Sequence, residues 1–382
     1  MSRIRLSIAL LPLLLLTGCW SKVEIDEQTF IFALYIDQGD TPDKVEVTIS
    51  SPLPNRLLSG QQAGSGTSHG QAYAMISKQS TSIQQAFMLI QRDLTRRINF
   101  GHTRVVTVGR QYAENGIKDM LDWMQREPTF HISTIVNTAP GKAKEIAELT
   151  PVYERMPSEV LLKMAQQRAM LDTSAKQCLI AEASGQGVAT NYLSMGLMKM
   201  PSENGETRQW AGIQGVALYN NDKLAGVLLS EEGRAIAWAL GRSGRQVYTL
   251  SWDEGQSRAD ILFNQLISKK SVRMGPDGPR FTLSLEGDGD LIHKTDIMNR
   301  DEKEINALLE QKLREKIEKQ LKSAFSKTQK AKSDVLQLGM LLDWKYPKFW
   351  EEKRDNWTDY YKNDLDIEFK VEINVKQVGI QS

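Results

Sequence analysis

The chain of 382 residues carries only two cysteines, and the first of them, Cys19, closes a leader. Arg3 and Arg5 precede an apolar run, Ile8 to Leu16, that is too short to span a bilayer core of about 30 Å. Leu16-Thr17-Gly18-Cys19 then has the form of a bacterial lipobox. Small residues there admit the signal peptidase, and the Cys19 thiol is the atom that a diacylglyceryl group alkylates. Residues 1–18 are thus expected to be a signal peptide. With Cys19 given to lipid, Cys178 stands alone and no intrachain disulfide can form. An exported chain without disulfides must stabilise itself by core burial, and this one is long enough to do so. Two acyl chains, at about 0.8 kcal/mol per buried methylene, hold a protein stably where one chain would not. The expected location is therefore the outer face of the cytoplasmic membrane. Trp20, directly after the anchor, fits either the headgroup level or the start of the folded part.

The rest of the composition suits an ordinary folded protein, with 41% hydrophobic and 25% charged residues. Lys plus Arg number 48 against 47 for Asp plus Glu, so no general field would hold a nucleic acid or an anionic surface.

Strand and helix patterns alternate along the first half. Thr29 to Ile36, Lys44 to Ser50, Ala72 to Ser77, Thr103 to Val108 and Ile132 to Thr138 read as strands. Val45, Val47 and Ile49 alternate with polar residues, so that strand is expected to have one wet face. Ser59 to Gly70 is a Gly/Ser-rich stretch without the Gly-Lys-Ser/Thr ending of a phosphate-binding loop, and reads as a flexible surface loop. Ser80-Thr81-Ser82 opens a helix, with Gln84 and Gln85 placed as in a capping box. Further helices are expected over Tyr112 to Arg126, Lys142 to Leu149 and Leu161 to Ala183. A polar stretch, 201–209, reads as a linker.

Beyond it, Ile213 to Tyr219 and Lys223 to Leu228 form a hairpin across Asn220-Asn221-Asp222, and Ser230-Glu231-Glu232 caps a helix ending at Gly241. Strands follow at Gln246 to Trp252, Ala259 to Phe263, Ser271 to Met274 and Phe281 to Glu286. A long helix from about Asp301 to Ser333 carries the apolar stripe Ile305, Leu309, Leu313, Ile317, Leu321 and Phe325. Acidic residues start it and lysines end it, as the helix dipole prefers. Leu365 to Val375 alternates as a half-exposed strand. The expected fold class is mixed α/β (α+β): two to three small modules, each a sheet with helices packed on it. The expected organisation is 19–200, holding one or two modules, the 201–209 linker, and a C-terminal α+β domain over 210–382.

Chemistry-bearing patterns are sparse. His69, His102, His131 and His293 show no metal-ligand spacing. Glu286-Gly-Asp288-Gly-Asp290 begins like a calcium loop, but Ile292 and Lys294 occupy the next ligand positions, so it reads as a turn. Glu231 and Glu232 are adjacent on a helix and cannot flank one substrate bond. Cys178, beside Leu179 and Ile180, reads as a buried small hydrophobe. No cofactor site, metal site or catalytic residue is expected, and the chain is read as a non-enzyme.

Several segments in order resemble one family, the Ger(x)C lipoproteins that form the C subunits of bacterial spore germinant receptors. The first is Leu16-Thr-Gly-Cys-Trp-Ser-Lys-Val-Glu-Ile25, with Ser21 where the family usually has Asp. Phe100-Gly-His-Thr-Arg-Val-Val-Thr-Val-Gly109, the helix ending Arg-Glu-Pro128, and Gly141-Lys-Ala-Lys-Glu-Ile146 follow. The second half adds Gly215-Val-Ala-Leu-Tyr, Lys223-Leu-Ala-Gly-Val-Leu, the Glu232-Gly233 pair, Asp334-Val-Leu-Gln-Leu-Gly339 and Pro347-Lys-Phe-Trp350. Gln337 stands where Gly or His is common. The resemblance implies a lipid-anchored subunit at the outer face of the spore's inner membrane, attached through diacylglyceryl and N-acyl (palmitate-type) chains on Cys19. It implies polytopic A and B subunits as partners, a role in nutrient-triggered germination, and no catalytic residues. Two other classes stay open on the residues alone: a solute-binding lipoprotein of a transporter, and a surface enzyme acting on cell wall.

Overall fold

The polar residues of the strand Val45–Pro52 are buried with the apolar ones, so this strand has no wet face. Glu46, Thr48 and Ser50 are enclosed because helix Ala143–Ala147 and Tyr73 cover their side of the sheet. The enclosed polar groups find partners there. Glu46 meets Lys144 at 2.9 Å, and Thr48 shares a hydrogen bond with Ser77 at 2.6 Å. Sheet strands covered on both faces are the usual outcome when helices pack on either side.

The computed structural model describes residues 24–54, 71–201 and 205–377. Cys19, Trp20, His69 and the 59–70 loop lie outside the described residues.

Fourteen strands are described: β1 (Gln28–Phe30), β2 (Ala33–Gln38), β3 (Val45–Pro52), β4 (Tyr73–Ser80), β5 (Arg97–Asn99), β6 (Val105–Val108), β7 (Ile135–Thr138), β8 (Val188–Met200), β9 (Glu206–Asn220), β10 (Lys223–Leu229), β11 (Gln246–Trp252), β12 (Ser257–Gly275), β13 (Gly278–Thr295) and β14 (Asp366–Gln377). The main sheet has the order β10-β9-β8-β7-β6-β2-β3-β4, with β8, β7, β6 and β2 mutually parallel and both flanks antiparallel. A second sheet runs β11-β12-β13-β14, and β1 pairs with β5.

The main sheet buries both faces. Leu34, Ile36, Val106 and Val108 face one core with helices Ile83–Arg92, Lys118–Arg126 and Ala175–Ser184. Ala33, Tyr35 and Val105 face the other, with helices Ala143–Ala147 and Pro157–Gln166. The long helix Glu302–Lys330, N-capped by Asp301, lays its whole expected stripe against the second sheet, and Leu313 and Ile317 are fully buried. Ser82 caps its helix by accepting the Gln85 N–H.

Four further expectations change. The 201–209 stretch does not separate two sheets: Glu206 to Gln209 already pair with β8, and β9 and β10 complete the main sheet. Val216, Leu218 and Leu228 share a core with the second sheet, so the two regions are continuous in packing. The helix expected over Leu161 to Ala183 is two, Pro157–Gln166 and Ala175–Ser184. The chain turns at Arg168, whose φ is 53°, and restarts at a Ser174–Gln177 capping box. The helix expected from Tyr112 to Arg126 is likewise broken at Gly116, whose φ of 128° suits glycine alone.

The fourth change is at Glu286 to Asp290, which is no turn but the middle of β13, between β12 and β14. Its glycines serve packing. A Cβ at Gly287 would lie 2.8 Å from the Trp238 ring, and one at Gly289 would lie 2.6 Å from Ile261. Helix Ser230–Ala239 can press Trp238 onto the sheet because Gly287 lacks a side chain, while Gly289 makes room for Ile261 and Phe263.

Candidate functional site

Most of the motif residues singled out in the sequence are structural joints. Asp37, at the end of β2, is buried and accepts the N–H groups of Ala143 (2.6 Å) and Lys144 (2.9 Å). Burial pushes its carboxyl up to about 6. The two N–H groups and Lys142 oppose that shift, and Glu46 adds to it. The Gly-Lys-Ala-Lys stretch is the other half of this joint. Gly109 leaves room for it, since a Cβ there would strike Asp37 Oδ1. Phe100 packs among Phe87 and Trp123, with Phe130 against Trp123.

The Asp334 to Gly339 segment forms a second joint. The fully enclosed Asp334 carboxylate accepts N–H groups from Leu338 and Gly339 and from the Trp357 indole. Burial raises its pKa against those hydrogen bonds. Lys270, half-buried, donates to the Leu336 carbonyl at 2.6 Å, and desolvation lowers its own pKa.

Among the described residues the chemistry-bearing side chains are not brought together. His102, His131 and His293 are exposed on separate elements, and His102 rests against Phe30 and Phe32. Among the described residues no group of His, Cys, Asp or Glu could hold a metal ion. Glu286 pairs with Lys269 and Asp288 with Asn374, both across strands. Cys178 is buried in its helix, and burial pushes the thiol up to about 12. Among the described residues no helix is long and apolar enough to cross a membrane.

One surface does collect polar groups. Helix Ser230–Ala239 crosses the long helix so that Glu232 accepts from Ser323 and Lys327, both at 2.7 Å, and Glu231 faces Lys316 at 3.5 Å. Burial opposes ionisation of Glu232, but the Lys327 and Ser323 hydrogen bonds outweigh it and hold its carboxyl below the ordinary value. Between the helices runs an open groove of about 540 Å³, lined by Leu229 to Glu232, Lys316, Lys319, Gln320 and Ser323. Gln320 is 7% exposed, and neither atom of its amide has a hydrogen-bond partner among the described residues. The Glu232-Gly233 pair was legible as a motif. Gln320 was not, because a glutamine within an amphipathic stripe has no signature of its own.

A larger, mostly apolar groove of about 990 Å³ lies where the described chain begins, between Ile25, Phe30, Leu53, Ile76 and Leu94.

Comparison with known proteins decides the family. Residues 21–180 match the family described as spore germination protein N-terminal domain, and residues 214–379 match spore germination B3/GerAC like, C-terminal. The chain belongs to the GerAC-like spore germination family. Relatives in the family include spore germination protein KC of Bacillus subtilis (strain 168), 24% identical over 98% of this chain and 95% of its own. Spore germination protein B3 of the same organism is 23% identical over 98% of each chain. The GerAC-like fold is also seen in the crystal structure of the GerBC protein, with a TM-score of 0.57 at 17% identity, covering 91% of this chain and 97% of that one.

Proposed function

We propose that this GerAC-like protein is the lipid-anchored C subunit of a nutrient germinant receptor, acting through contacts with polytopic A and B subunits and not by catalysis. The observation that carries this is coverage: both family regions match in order, and the relatives that match nearly end to end are spore germination proteins. The lipobox at Cys19 supports attachment to the outer face of the membrane that becomes the spore's inner membrane.

The test uses spore membranes solubilised in mild detergent. Captured through a C-terminal tag, the chain should bring down two polytopic membrane proteins, and metabolic labelling with a fatty acid should mark it unless Cys19 is replaced by Ala. Recovery of an ABC-type permease and ATPase instead would assign the chain to a transporter. Fatty-acid labelling that persists in Cys19→Ala would overturn the anchor assignment.

A further inference from the structure

We propose that Trp20 seats its indole in the apolar groove beside Glu24 and Ile25, so that the acylated Cys19 is held against the folded body without slack. The proposal rests on the reading of Cys19 as the lipid-bearing first residue of the mature chain. It adds a docking site for the residue that follows.

Three observations lead to it. The first is where the chain starts. Glu24 and Ile25, the first two described residues, are themselves part of the groove's lining, so residues 20–23 leave from it. Four residues of extended chain span at most about 14 Å, which keeps Trp20 within reach of the groove. The second is what the groove lacks. Its walls are mostly apolar, from Phe30 and Leu53 to Ile76 and Leu94, and Ile25 stands 76% exposed. Apolar surface gathered in one place marks a docking site. Among residues 20–23, Trp-Ser-Lys-Val, the indole is the one group large and rigid enough to fill such a space, and its N–H can stay at the wet rim. The third is charge. The rim carries exposed Glu24, Asp26 and Arg96, and its two acids have no ion-pair partner among the described residues. Lys22, two residues before Glu24 and two after Trp20, brings the opposite charge to those acids.

A seated Trp20 also orients the molecule. Strands β2, β6 and β7 run parallel, and the groove takes in the last residues of β3 and the first of β4, at the end where β2 begins. With Cys19 one residue from Trp20, that end of the main sheet faces the bilayer.

The test reads a cysteine in the groove wall. Side chains alternate across β4: the Tyr73 hydroxyl donates to the Ala147 carbonyl on one face, and Ala74 lines the groove on the other. Ala74→Cys therefore adds one sulfur to the wall, and Cys178, 1% exposed, reports whether the fold stays closed. The full-length acylated chain carrying Ala74→Cys is held on phosphatidylcholine vesicles and treated with a charged thiol reagent. Docking predicts slow labelling with Trp20 in place, about ten-fold faster labelling in Trp20→Ser, and slow labelling again in Trp20→Phe, with Cys178 silent throughout. Equal rates with Trp20 and with Trp20→Ser would overturn the proposal, whether both are fast, as in an open groove, or both slow, as in a groove covered by lipid or another segment. If Cys178 labels, Ala74→Cys has loosened the fold and the melting temperature of the chain without it decides. Docking predicts that Trp20→Ser melts lower than wild type; an unchanged melting temperature would overturn it and leave Trp20 among the lipid headgroups. Fatty-acid labelling of the same proteins judges the anchor separately. Its absence would overturn acylation of Cys19, while Trp20 docking would still stand or fall by the melting temperatures.

Discussion

The indole N–H of Trp357 donates to the Asp334 carboxylate at 3.0 Å, tying the last helices of the chain to the end of the long one. The same carboxylate holds the first turn of helix Leu338–Lys345 through the N–H groups of Leu338 and Gly339. Gly339 is required beside it, since a Cβ there would sit 2.8 Å from the Trp350 ring and 2.9 Å from Trp357. One buried acid therefore organises three segments that are separate in sequence.

Replacing that acid should be costly. Asp334→Ala strands three donors, and a loss on the order of 3–5 kcal/mol is expected. Asp334→Asn keeps an acceptor oxygen and should lose about 1–2 kcal/mol. Urea unfolding of the chain without its leader checks both values and, above all, their order.

Gly287→Ala should cost about 1–3 kcal/mol by overpacking, because its methyl would press on Trp238 and Phe263. The same change in a Trp238→Phe background should cost less. Equal losses in the two backgrounds would show that the glycine serves backbone freedom and not ring packing.

Asp37 should give the fold a particular pH dependence. Its folded pKa, about 6, lies above the ordinary value of about 3.9, so the folded protein holds this proton more tightly than the unfolded chain does. The stabilisation is full below about pH 4 and is lost as pH rises through 6, by roughly 3 kcal/mol at most. Glu46, Lys142 and Lys144 face the same carboxyl, so the informative quantity is the difference between proteins. Melting temperatures of Asp37→Asn and wild type should diverge in favour of Asn between pH 4 and pH 7.

Cys178 should be inert while the protein is folded. It is 1% exposed and its thiol is pushed up to about 12, so a thiol reagent has neither access nor thiolate to attack. Labelling should follow global unfolding in urea, and reductant should leave the melting temperature unchanged. Fast labelling in the native state would place this helix in a locally opening segment.

Local signals were legible where local chemistry decides the outcome. Asp301 and Ser82 cap their helices through side chains, and the long helix buries its predicted stripe. In Gln246–Trp252, Tyr248, Leu250 and Trp252 are buried and Thr249 and Ser251 exposed, as their polarity suggests. Legibility failed where distant segments decide. Glycines at 287 and 289 look like turn residues until Trp238, 49 residues upstream of Gly287, packs on the first and Ile261 on the second. The polar faces of β3 and of the 201–209 stretch hid a covered strand and a ribbon end, because the partners that cover or pair with them come from elsewhere. The lipobox is a purely sequential signal, whereas Gln320 stands out only once its missing partners are known.

The central claim, that this chain is one subunit of a nutrient receptor, is tested most directly by spores lacking it. Germination should be followed against a panel of amino acids, sugars and nucleosides, with a complemented strain alongside. The account predicts loss of response to one set of nutrients, restored by the full-length chain, while germination through triggers that bypass nutrient receptors proceeds normally. An unchanged response to every nutrient on the panel would contradict it, provided the wild-type spores contain the protein and no second receptor answers the same nutrients.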